Sequence, residues 1–325
     1  MKQYQIRLFE KSDHHTWNTF VSTSKNATFL FHRNFMEYHS DRFDDYSLII
    51  LENQNWIAIL PGNRVGTDFF SHQGLSYGGL VYNEKQKLST IITVFQKVLL
   101  FLNQNNIANF HVKIIPSIYP VFPSDEFLYI LFLTQAKLVR RDSLSVIDLS
   151  NKNSISSGRL EGVKKGEKYN LVIKEVSQFD DFWNEILIPN LNQKHQAKPV
   201  HTLDEISKLK RLFPENIRQF NVYHNETIVA GTTIFETQNV AHAQYISGNE
   251  SKSEYGSLDF LYHNLITKVF KNKKYFDFGT SNENQGKKLN AGLSFWKESF
   301  GASTITQDFY EVETKNFKLL DDVLI

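Results

Sequence analysis

Residues 239–301 read NVAHAQYISGNESKSEYGSLDFLYHNLITKVFKNKKYFDFGTSNENQGKKLNAGLSFWKESFG. Val240 to Ser247 is an extended apolar run interrupted by His242 and Gln244, and it breaks at Gly248-Asn249 into a polar loop that ends at Tyr255-Gly256-Ser257. Beyond it, Leu258, Leu261, Tyr262, Leu265, Ile266, Val269 and Phe270 follow the i, i+3, i+4, i+7 spacing of a one-sided amphipathic helix. Lys271 to Lys274 then place cations where a helix C-terminus favours them. The run Tyr275-Phe276-Asp277-Phe278-Gly279 is too short and too aromatic for a helix and reads as a buried strand carrying one carboxylate. A polar loop from Thr280 to Lys288 and a short helical segment within Gly292 to Gly301 complete a strand, helix, strand, helix order.

The rest of the chain repeats that order. In the first half, Leu88, Ile91, Ile92, Phe95, Val98, Leu99 and Leu102 predict an amphipathic helix, followed by a strand from Phe110 to Ile115. Upstream lie a strand at Met1 to Glu10, a helix opening at Ser12 or Asp13, a helix over Phe29 to His39, and strands Tyr46 to Glu52 and Asn55 to Leu60 about Asn53-Gln54. A further strand is expected within Phe69 to Tyr82, then a helix near Glu126 to Gln135 and closing strands from Lys137 to Leu149. Trp17 and Trp183 are 166 residues apart, and so are Phe110 and Phe276. One offset for two pairs, with the same order of elements between them, indicates an internal duplication of a mixed α/β unit. The polar run Ser150 to Gly158 separates the copies, which gives expected domains at 1–150 and 151–325.

A chain of 325 residues with 41% hydrophobic and 14% aromatic residues is large enough for two cored domains and is not a disordered polymer. Its 36 basic and 35 acidic residues give a net charge of +1, which argues against a duplex nucleic acid partner. The absence of Cys excludes a thiol nucleophile, thiolate metal ligation and disulfides, and fits a reducing compartment. No signal-peptide pattern opens the chain and no apolar run is long enough to span a bilayer, so the expectation is a soluble cytoplasmic protein. Phosphate-binding glycine motifs, H-E-x-x-H and G-x-S-x-G are all missing, and no metal site is expected.

The D-F-G that ends a strand at Asp277-Phe278-Gly279, followed by F-W-K-x-x-F-G at Phe295 to Gly301, resembles the FemAB-like branch of the GNAT acyltransferases, whose members carry two tandem GNAT domains. The segment His195 to Phe213 is similar to bacterial GNAT-family members as well. The resemblance implies two GNAT-like domains with the active site in the second. It implies transfer of an acyl group from acetyl-CoA or another acyl-CoA to an amine on a small molecule or sugar nucleotide, such as an amino sugar of the cell envelope. An aminoacyl-tRNA-dependent peptidyltransferase of the FemABX type is the alternative enzyme, with tRNA as partner in that reading only. A binding module that keeps the fold and has lost its donor is the alternative from another class. The donor's phosphates are expected at the loop before the long helix, here Ser247, Gly248, Tyr255, Gly256 and Ser257, where free N–H groups and the helix dipole converge. Of the usual R/Q-x-x-G-x-G/A signature only Tyr255-Gly256-Ser257 remains.

Strand alternation puts His242 and Gln244 on one face and Ala241, Ala243 and Tyr245 on the other. His242 and Gln244, with Tyr245 and Trp296, form the expected substrate-binding set; a satisfied structural network is the other reading of the first two. Asp277 is expected in the same cleft as a group that positions or deprotonates an amine, or else bonds loop amides. Lys297, the cation of the aromatic-Lys pair, is expected to offset a developing oxyanion. Thr202 and Glu205 spell a capping box, and His201, just before it, is a candidate base. His195 is a weaker candidate. Arg159, Lys164, Lys165 and Lys168 form a basic segment that either meets donor phosphates or lies on a solvated helix face.

Overall fold

Asn225 and Glu226 both take positive φ, 48° and 68°, as do Asn53 and Gln54 at 48° and 69°. Each pair closes a two-residue hairpin of the kind whose twist matches that of the strands. The hairpins join Ile217–His224 to Thr227–Glu236 and Leu48–Glu52 to Asn55–Leu60, one in each of two compact units of the computed structural model, which describes residues 3–151 and 153–325. The side chain of His195 lies outside the described residues.

The unit Ser143–Ile305 is built on a mixed sheet. Val172–Val176, Ile217–His224, Thr227–Glu236 and Val240–Gly248 run antiparallel in chain order. Tyr275–Thr280 then joins Val240–Gly248 in parallel, and the strand Lys137–Asp148, from Leu144 on, pairs antiparallel with Tyr275–Thr280. The amphipathic helix forms at Ser257–Asn264 and continues over Leu265–Val269 with wider, π-type turns. It buries Leu261, Tyr262, Leu265 and Ile266 against Ala241, Ala243, Phe276 and Phe278. The periodicity therefore set the packing face correctly, apart from Val269, which stays exposed.

The other unit comprises the chain up to Asp142 together with Thr306–Ile325. It holds the sheet Tyr4–Leu8, Leu48–Glu52, Asn55–Leu60 and Val81–Tyr82. In a further ladder, Asn109–Lys113 pairs with Asp68–Phe70 on one side and with the end of Ser303–Glu313 on the other. The helix Leu88–Gln104 packs its apolar face over this core. The expected helix over Phe29 to His39 is instead two 3-10 turns flanking the short helix Arg33–Met36, and residues 71–80 are irregular between two short strands.

The duplication is visible in local chemistry. Trp17 and Trp183 are both fully buried. The indole N–H of Trp17 donates to the Phe31 carbonyl at 2.8 Å, and that of Trp183 donates to the His201 carbonyl at 3.4 Å. The division of the chain differs from 1–150 and 151–325, because the last twenty residues pack with the first unit. Phe309–Glu313 pairs there with Asn109–Lys113, and Val312 and Leu320 enter the core of that unit.

Candidate active site

The two parallel strands of the second unit pair over only three positions, Val240↔Tyr275, Ala241↔Phe276 and His242↔Asp277. Past His242 a cleft of about 820 Å³ takes the place of further pairing, lined by Ala243, Gln244, Ile246, Ser247 and Gly248 on one strand and by Phe278 and Thr280 on the other. Ligands of α/β sheets sit characteristically beyond the carboxyl ends of parallel strands, where neighbouring chains diverge. Three helices begin at this cleft: Gly158 and Arg159 of Ser157–Lys168, Leu258 and Asp259 of Ser257–Asn264, and Gly292 and Leu293 of Ala291–Glu298 all line it. Arg159, Lys165, Lys252 and Lys297 contribute cations, against Glu161 and Asp259.

Where the strand pairing ends, His242 Nδ1 meets Asp277 Oδ2 at 2.9 Å, and neither residue lines the cleft itself. Asp277, 1% exposed, accepts the Gly279 N–H on its other oxygen at 2.7 Å. Gly279 has φ of +69°, and a Cβ on it would lie 3.2 Å from His242 Cε1. Its carbonyl accepts Lys297 Nζ at 3.1 Å, and the Thr280 carbonyl accepts the same ammonium at 2.7 Å. His242 and Lys297 thus flank one residue. Burial lowers the Lys297 pKa to about 8, while the nearby Asp277 charge acts in the opposite sense.

Alternation failed at Gln244. Tyr245 pairs with Thr233 but Ala243 pairs with Ile234, so Gln244 is the extra residue of a β-bulge. The bulge consumes one step of the period, which brings Tyr245 onto the His242 face and leaves Gln244 lining the cleft beside Ala243. Tyr245 is buried against Trp183, with ring centroids 5.1 Å apart, and its hydroxyl lies 2.7 Å from His201 Nδ1. His201 is 4% exposed and neither residue lines the cleft. The reason is local: the capping box of Thr202 and Glu205 fixes the helix start, and His201 just ahead of it turns into the Trp183–Tyr245 cluster.

Of the expected donor loop, Ser247, Gly248 and Gly256 line the cleft. Tyr255 packs elsewhere, between Tyr169 and His224 at 4.8 and 4.7 Å. Ser257 is fully buried, its hydroxyl without a partner. Gly256 has φ of +63°, and a Cβ on it would fall 2.1 Å from the Gly162 carbonyl oxygen, so the helix Ser157–Lys168 lies directly on this turn. Of the basic segment, Arg159 and Lys165 reach the cleft, whereas Lys164 and Lys168 do not line it.

Trp296 half-buries its ring against Tyr262, Phe278 and Phe300 and donates its N–H to Asp259 Oδ1 at 3.2 Å. Arg159 Nη1 donates to the same oxygen at 2.7 Å. Asp259 and Asn190 were not anticipated. Asp259 hid in the helical pattern as a polar residue between apolar ones. Asn190 Nδ2 donates to Ser247 Oγ at 2.8 Å and to the Gly248 carbonyl at 2.7 Å, a cross-link with no sequence signature. A legible signal did exist for the Arg159 helix: Gly162 and Gly166 lie four residues apart on one face, where a Cβ would meet Asp259 and Phe260. Among the described residues no group of three His, Asp or Glu side chains is placed to hold a metal ion, and no helix is long and apolar enough to cross a membrane.

No family model and no curated relative matches the sequence. Solved structures do. FemX aligns over 98% of this chain and 99% of its own, at 9% identity and a TM-score of 0.66. A tandem GNAT protein from the clavulanic acid biosynthesis pathway aligns over 96% and 99%, at 8% identity and a TM-score of 0.51. The chain has the FemAB-like, tandem GNAT fold. L-PGS from Bacillus licheniformis shares it over 81% of this chain and 85% of its own, at 13% identity and a TM-score of 0.55. At such identities the likeness is one of fold, the fold of a group that includes acyltransferases. The cleft described above belongs wholly to the second unit.

Proposed function

We propose that the protein is an acyltransferase that forms an amide, with the cleft of the second unit as its active site and an amino sugar or related envelope precursor as acceptor. The observation that carries the reading is the placement of His242, paired with Asp277, and Lys297 on either side of Gly279, where the parallel strands part. Attack of an amine on an acyl carbonyl needs two things at once. The nitrogen must lose a proton, and the carbonyl oxygen must carry negative charge as it becomes tetrahedral. His242 is suited to the first, because Asp277 fixes its Nδ1 side and leaves Nε2 to accept the proton. Lys297 is suited to the second as a desolvated ammonium at a rigid position. Collapse of the tetrahedral adduct then breaks the bond to the carrier, whose oxygen or sulfur leaves and takes up a proton. With no thiol in the chain, direct attack is favoured over a covalent acyl-enzyme. An open cleft lined by Gln244 and Lys297 supports an enzyme over a filled, donor-less scaffold.

The experiment is direct. Acetyl-CoA and an aminoacyl-tRNA are offered in parallel with glucosamine and a nucleotide-linked amino sugar, and amide product is sought by mass spectrometry. Expected is one acylated product that falls about 100-fold or more in Lys297→Met and in His242→Gln. Product formed equally well by both variants would refute the assignment.

A further inference from the structure

The start of the helix Ser257–Asn264 has the components of an anion seat: the positive end of the helix, the Arg159 guanidinium and the Trp296 N–H. The protein's own carboxylate occupies it. Asp259 lies in the first turn of that helix and lines the cleft. Its Oδ1 accepts both Arg159 and Trp296, and a Cβ on Gly162 would fall 2.0 Å from its Oδ2, so the backbone of the neighbouring helix backs the other oxygen. Burial raises its pKa, and Arg159, the Trp296 N–H and, more weakly, Lys165 act against that rise. The residues present therefore do not fit a pyrophosphate at this position. An incoming anion would find the cation already paired and a like charge beside it.

We propose that Asp259 determines donor specificity in this cleft by rejecting donors that clamp a pyrophosphate at the helix start, as coenzyme A would. The inference rests on the cleft being an acyl-transfer site. It adds which carrier that site excludes.

Calorimetry on the full chain tests it, with inorganic pyrophosphate and coenzyme A as the probes. The wild type is expected to show no saturable binding of either up to about millimolar concentration. Asp259→Asn and Asp259→Ser remove the charge and release Arg159, and each is expected to bind pyrophosphate at least about tenfold more tightly than the wild-type limit. Adding Arg159→Ala to Asp259→Asn should erase the gain, and melting curves would establish that each variant is folded. Micromolar binding of either probe to the wild type overturns the proposal without any variant. Folded variants no tighter than wild type overturn it as well. No turnover is involved, so a failure here is separate from a failure to detect amide formation.

Discussion

Lys297 ties the site's chemistry to its titration. In water a lysine holds its proton to well above physiological pH, but burial lowers this one from 10.5 to about 8. If its ammonium stabilises the oxyanion, the acylation rate should fall as pH rises through about 8, and the falling limb should be absent from the residual activity of Lys297→Met. A wild-type rate that stays flat well above that value would mean the charge is not used. The sign for stability is opposite. Between about 8 and 10.5 the unfolded chain holds a proton that the folded one has lost, so the burial cost present below that window is relieved as pH rises through it. Legibility at this scale followed backbone regularity. Asp277 and His242 were placed on facing strands by simple alternation, and they pair. Tyr245 was placed on the wrong face because the residue inserted at Gln244 inverts everything beyond it, and nothing in Ala243-Gln244-Tyr245 announces a bulge. His201 looked available at a helix entrance, yet its environment is set by Trp183 and Tyr245, which are distant in sequence.

Elements were readable wherever their apolar period was strong. The helices Leu88–Gln104 and Ser257–Asn264 bury the faces their sequences mark. The segment after Phe29 failed because its consecutive aromatics, Phe29, Phe31 and Phe35, are buried on all sides and carry no helical period. The least obvious element is the helix Ser157–Lys168, polar in composition and pressed onto the turn at Gly256. Its contact depends on glycine. A Cβ at Gly166 would lie 2.6 Å from Phe260 Cβ, a clash that moves two helices rather than one flexible side chain. Gly166→Ala should therefore destabilise the protein by about 1–3 kcal/mol, even after the gain in helix propensity. Gly158→Ala meets open space on the same helix and should be neutral or stabilising by up to about 1 kcal/mol. Urea unfolding of the two variants gives the comparison. Equal effects would show that the close approach carries no stability.

For the molecule as a whole, the duplication was legible because the two copies keep the same aromatic anchors at one spacing, while the division of the chain was not. A linear reading assigns each residue to the half in which it occurs, but β-ladders are satisfied by whichever strand presents free backbone groups. The tail uses that freedom. Strand residues Phe309–Glu313 complete a ladder with Asn109–Lys113, Thr314 Oγ1 donates to the Ile107 carbonyl at 2.6 Å, and the 3-10 helix Thr314–Leu320 packs on Leu88–Gln104. Burying Val312 and Leu320 alone is worth roughly 1.5–3 kcal/mol each, a large share of the margin on which a domain of this size stands. Removing residues 306–325 should therefore open the first unit, although the cut falls about 160 residues downstream of Asp142 in the chain. Hydrogen exchange distinguishes the outcomes. Protection is expected to vanish in Leu88–Gln104 and Asn109–Lys113 and to persist in Val240–Gly248 and Thr227–Glu236. Loss confined to the second unit would instead restore the division at residue 150, and would mean that the ladder to Asn109–Lys113 contributes little to holding the first unit closed.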